Sequence, residues 1–208
     1  MKRFKYLTTM ICTLVLLFVA SPSTAQIHPK AYMNLDWQIG IPMSGDFADE
    51  TSGWGMNLEG GYFVCPTIAV GAFLNFQTNL SSVDRQTLDL GNGSALTTNQ
   101  KHSIFQLPFG VTARKLWRKD HRLQPYFGMK MGACYSEVSS YYYIVQEYDN
   151  GWGFYLSPEI GATMYLGAKR KIGIHLSMFY SYATNGGKVL NYSVDGLSNL
   201  GFRMGIAF

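Results

Sequence analysis

Cysteine is scarce in this 208-residue sequence: three in all, of which Cys12 falls in the N-terminal leader, leaving Cys65 and Cys134. Two thiols do not make a disulfide framework. No Cys/His spacing suits a metal, no glycine-rich loop suits a phosphate, and no nucleotide fingerprint occurs, so no cofactor is expected. Past the leader, no apolar run is long enough to cross a membrane as a helix. No tandem repeat and no linker divides the chain.

Excess positive charge is missing too. Lys2, Arg3 and Lys5 stand before an apolar run at 14–20 that ends in the small residues Ser23, Thr24 and Ala25. This is the pattern of a secretory signal peptide, residues 1–25, with cleavage expected after Ala25. Its apolar run is too short to span ~30 Å of hydrocarbon as a helix. Without those three cations the formal charge falls from +4 to +1, which gives no footing for nucleic acid. The mature chain, 26–208, has the length of one domain.

What the chain does have is alternation. At the C-terminal end Leu200, Phe202, Met204, Ile206 and Phe208 fall on one side of an extended chain, with Gly201, Arg203 and Gly205 on the other. Period-two alternation marks a strand whose two faces meet different surroundings. Seven more segments, at 31–40, 53–64, 68–78, 103–113, 123–135, 152–165 and 172–183, repeat it. In none does the apolar side carry a charge. Soluble sandwiches leave charge on their outer faces, so lipid is the solvent expected here. Lipid demands that every backbone group be paired, which a closed barrel achieves.

Connections alternate as well: longer polar stretches at 41–52, 79–102, 136–151 and 184–197, shorter turns at 65–67, 114–122 and 167–171. The long ones are mainly acidic and the short ones mainly basic, Arg114 among them. Long loops outside and short turns in the periplasm give an all-β, eight-stranded antiparallel up-and-down transmembrane β-barrel. In that map Cys65 and Cys134 sit at different heights, too far apart to bridge, and are expected as free thiols.

The alternating strands and the terminal Phe208 resemble small outer-membrane β-barrel proteins, with the layout of the OmpA, OmpX and OmpW types and of the outer membrane protein beta-barrel domain families. The resemblance implies an outer-membrane location, with lipid and lipopolysaccharide around the barrel. It also implies that Phe208 serves as the signal to the barrel-assembly machinery.

An eight-stranded barrel is barely wide enough for its own inward side chains. Six ionisable residues point inward: Asp36, Glu59, Lys130, Glu159, His175 and Arg203. Buried charges must pair, and strand neighbours suggest one cluster of Arg203, Asp36 and Glu59 and another of Lys130 and Glu159. They would make an ionic plug, or a gate if the pairs exchange. Outside, Tyr141, Tyr142 and Tyr143 form the candidate patch for an unknown extracellular ligand, or else a taller hairpin. His175-Leu176-Ser177 is similar to the spacing of outer-membrane lipid A deacylases. Those enzymes keep the pair near the outer rim, whereas here it falls inward and near the periplasm, so no enzyme is expected.

Overall fold

The computed structural model describes residues 31–43, 47–89, 95–117, 121–142, 145–166, 172–189 and 192–208. The leader, 1–25, lies outside the described residues. Eight strands follow one another: β1 (Ala31–Pro42), β2 (Ser52–Cys65), β3 (Ile68–Asp89), β4 (Ala95–Leu116), β5 (Leu123–Tyr142), β6 (Val145–Leu166), β7 (Ile172–Val189) and β8 (Tyr192–Ala207). Each pairs with its sequence neighbour, and β1 pairs antiparallel with β8 to close the barrel. Closure leaves no strand edge, as a sheet surrounded by lipid requires.

Burial follows the sequence parity. In β7 the inner positions from Gly173 to Ala183 are buried without exception, while Ile172, Ile174, Leu176, Met178, Tyr180 and Tyr182 are exposed. The outer apolar belt runs round all eight strands. Near its upper edge Trp152 packs against Phe109 and Tyr135 at centroid distances of 6.1 and 5.3 Å, where amphipathic rings meet headgroups. Cys65 is exposed, Cys134 is buried, and both are free.

Three of the stretches expected as long loops are paired strand instead. β3 and β4 continue to Asp89↔Ala95, β5 and β6 to Tyr142↔Val145, and β7 and β8 to Val189↔Tyr192. The reason is that a ladder above the membrane needs backbone bonds and cross-strand contacts, not an apolar face. Thr87 and Thr97, whose hydroxyls meet at 2.8 Å, are one such contact. Polar residues that read as loop were the outward and inward positions of raised hairpins.

The mouth of the barrel is closed from above. A bulge sets Gly196, with φ +77°, opposite two residues of β7, and beyond it the alternation of β8 shifts by one, so that Val194 and Leu197 face inward. Val189, Val194 and Leu197 thereby join Phe47, Ala48, Ile104 and Val138 in a buried apolar cap. Residues 47–50, between β1 and β2, cross the opening as a strap. Ser81 donates to Asp49 (2.8 Å), and the backbone N–H groups of Glu50 and Ser82 donate to the carbonyl of Leu80 and the carboxylate of Glu50.

Leu156, on the lipid side of β6, and Glu137, on the same outer surface but above the apolar belt, test this placement. Leu156→Arg is expected to cost about 2–4 kcal/mol in denaturant unfolding from vesicles. Glu137→Arg is expected to stay within about 0.5 kcal/mol of the parent. Equal losses would move the membrane boundary.

Candidate functional site: the charged belt in the lumen

Seven of the eight strands each send one ionisable side chain to a common level in the lower half of the lumen. Asp36 comes from β1, Glu59 from β2, Arg114 from β4, Lys130 from β5, Glu159 from β6, His175 from β7 and Arg203 from β8, all buried. Two glycines make room for them. A Cβ on Gly128 would stand 2.9 Å from the Glu159 side chain, and one on Gly205 would stand 2.5 Å from Asp36.

Lys130 is the hub. Its Nζ lies 2.8 Å from Glu59 and 2.9 Å from Glu159, and it donates to Asn57 Oδ1 at 3.0 Å. Arg114 grips the same two carboxylates from below, Nε at 2.6 Å from Glu59 and Nη2 at 3.4 Å from Glu159. Its guanidinium is clasped between the rings of Tyr126 (4.3 Å) and Tyr32 (4.7 Å), an arrangement open to arginine because its planar charge stacks. Arg203 reaches Glu159 with Nη1, donates from Nε to Gln38 Oε1 at 2.8 Å, and lies 3.8 Å over Phe179. Two carboxylates thus face three permanent cations, and Asp36 beside them supplies the third negative charge, the balance a narrow, poorly solvated bore requires.

His175 extends the network. Its Nδ1 is 2.6 Å from Asp36, which also accepts from Asn57 at 2.8 Å, and its Nε2 is 2.7 Å from the Tyr126 hydroxyl. Tyr126 donates in turn to Glu159 at 3.0 Å.

The belt has a floor and a ceiling. Beneath it, a small recess opens toward the short-turn end and stops at Arg114, walled by Tyr32, Phe63, Leu116 and Tyr165. Above it, amides step upward: Gln38 donates to Gln77, Gln77 to Asn79 at 2.9 Å, and Asn79 to Asn199 at 2.6 Å. Beside that ladder Phe73 and Tyr155, 5.8 Å apart, fill the bore with apolar rings.

Several expectations change. The two proposed clusters are one, because Lys130 and Arg114 each touch both glutamates. Arg114 is no turn residue: β4 runs to Leu116, so parity carries it inward with Thr112. Extending the alternation of Gln106, Gly110 and Thr112 by two positions would have found it. Tyr142 leaves the outer patch, since it turns inward and donates to Glu147 at 2.7 Å. Tyr141 stays exposed, as does Tyr148 on the facing strand, and Tyr143 lies outside the described residues. His175 is engaged by Asp36 and Tyr126 rather than Ser177. Phe208 stands at the seam, its N–H and carbonyl paired with Met33 of β1 at 2.8 and 3.1 Å.

A closed eight-stranded barrel with an apolar girdle and a charged bore is the build of an integral outer-membrane protein. The chain belongs to the outer membrane protein beta-barrel domain family, whose profile matches residues 10–208, and its place is the outer membrane. No curated protein matches it. Among solved structures it is similar to Neisserial surface protein A, at 14% identity and TM-score 0.47, covering 86% of this chain and 96% of that one. OprG from Pseudomonas aeruginosa is similar at 13% and 0.48, covering 87% and 97%. The protease OmpT from Escherichia coli is similar at 11% and 0.49, covering 74% and 62%. Likeness at this level speaks neither to ligand nor to activity.

Arg114→Met is expected to destabilise by about 3–5 kcal/mol, because it takes one buried cation from two carboxylates and leaves the belt with excess negative charge. In a Lys130→Met and Glu159→Met cycle, the double change should cost less than the sum of the single ones by about 0.5–3 kcal/mol. An additive cycle would dismantle the hub. Tyr142, above the apolar belt, has its hydroxyl pushed up to about 12 by burial first and then by the bond to Glu147. The folded value exceeds the unfolded one of roughly 10, so this contribution is whole below about pH 10 and is lost as pH climbs toward 12. Phenolate absorbance should show that late step, and Tyr142→Phe should remove it.

Proposed function

We propose that this protein is a non-enzymatic outer-membrane barrel that is shut across its bore and acts through its wall and its raised extracellular hairpins. The supporting observation is Lys130, held between Glu59 and Glu159 with Arg114 below and Arg203 beside it. Parting any of these groups exposes a charge to a bore that apolar rings and a cap close from above, and that is expensive. Lipid and lipopolysaccharide are the partners of the apolar belt, the barrel-assembly machinery is the partner of the terminal strand, and an extracellular ligand is the partner of the hairpin tips. Against an esterase or deacylase stands the burial of His175 and Ser177 away from the lipid surface, with no nucleophile–base bond between them.

Planar-bilayer recordings test the closed bore. The parent protein is expected to give no steady conductance, and Glu59→Gln combined with Lys130→Gln to raise it, because the hub is then gone and only Glu159 with Arg114 and Arg203 still pairs across the bore. A steady current through the unaltered protein would replace this reading with a narrow channel. Lipid A from cells carrying His175→Ala should keep its mass; an added acyl chain would make the protein a deacylase.

A further inference from the structure

The charged belt leaves a few buried atoms without a hydrogen bond, but Glu59 Oε2 and Arg114 Nε there lie against an opposite charge; the wall above has no charge to answer its own. On the inner face of β4 and β5, Gln100, His102 and Gln106 stand opposite Tyr142, Ser140 and Ser136 in the ladder. Both ring nitrogens of His102, both amide atoms of Gln100, Nε2 of Gln106 and the hydroxyls of Ser136 and Ser140 are buried without a protein partner. Native interiors rarely leave one such group, and each calls for a physical reason. Here they stand on one wall in two groups, Gln100, His102 and Ser140 at the level that Phe47 covers and Gln106 with Ser136 lower down, parted by the buried apolar pair Ile104 and Val138.

What lies over them is slight. The Phe47 ring covers His102 at a centroid distance of 4.2 Å, and Tyr192 meets the same imidazole edge-on at 4.9 Å. The strap is also held by Phe47 and Ala48 in the apolar cap and by the bonds to Leu80, Ser81 and Ser82 already described.

We propose that the extracellular mouth is a binding vestibule for a neutral saccharide, closed in this structure by the strap at 47–50. The chemistry selects the class. Hydroxyls both donate and accept, so a sugar can meet amide, imidazole and serine groups that also do both. The Tyr192 ring remains as a flat apolar platform once Phe47 withdraws. Anionic ligands are disfavoured because the buried Arg and Lys side chains among the described residues, Arg114, Lys130 and Arg203, all belong to the belt below. Asp49, Glu50, Glu147 and Asp149 line the rim instead. The proposal goes beyond the closed bore and does not require the belt to open.

The test is saturation-transfer NMR on the full barrel in phosphocholine micelles, which carry no sugar headgroup, with maltose and N-acetylglucosamine as probes at millimolar concentration. The parent should transfer saturation to at least one probe. Phe47→Ala, which uncovers His102 and Gln100, should bind it about tenfold more tightly, and Gln100→Ala should bind it about tenfold less tightly than the parent. Gln100 has no side-chain bond to lose, and the gel shift of the unheated barrel reports that each variant is folded. Absence of transfer in both the parent and Phe47→Ala overturns the proposal, as does binding that Gln100→Ala leaves unchanged. The conductance of the bore is a separate readout, so failure of the vestibule and failure of the closed-bore reading are distinguishable.

Discussion

Everything in this molecule follows from one constraint, that hydrocarbon offers a peptide group no hydrogen bond. The sheet must close on itself, and with eight strands it closes around a bore only as wide as its side chains. That narrowness turns inward charge into a packing problem. Each of the seven ionisable groups in the belt is a side chain that the ladder forces inside, and their arrangement answers the cost of bringing them there.

The answer is a shared one. Glu159 serves Lys130, Arg203 and Arg114, while Glu59 serves Lys130 and Arg114 and accepts from Tyr32 at 2.7 Å and Thr112 at 3.1 Å. No group relies on a single partner, so the bore is filled by a network rather than by isolated pairs. Networks of this kind specify one arrangement of side chains, because a half-satisfied set is worse than none. Around the belt, aromatic rings below and apolar residues above keep water from diluting it.

Strand number, strand parity and the identity of six belt residues were legible in the sequence, because a two-residue period leaves no freedom in which side faces lipid. What parity could not give was where each strand ended. Arg114 was lost for that reason alone: its side of the strand was readable, but a cluster of basic residues beside it resembled a turn. The raised hairpins were hidden for a related cause. Above the membrane the outer face has no need of apolar residues, so the signal that marks a strand within lipid vanishes where the strand leaves it. The strap and the apolar cap were not legible at all, since Phe47 and Val194 come from distant stretches of the chain and share a cluster only in the folded barrel.

The seam between β1 and β8 is short, running from Asn34↔Ala207 to Pro42↔Asn199, whereas β5 and β6 pair from Leu123↔Met164 to Tyr142↔Val145. On strand pairing alone it would be the natural line along which the cylinder unzips. From inside, however, Asp36 of β1 is tied to His175 of β7, and Gln38 of β1 to Arg203 of β8. The charged belt therefore acts as a clasp across the joint. A barrel held this way gains persistence in time as well as depth in free energy: to open, it must break hydrogen bonds in the wall and part buried charges in the same step, and a barrier of that kind makes unfolding slow.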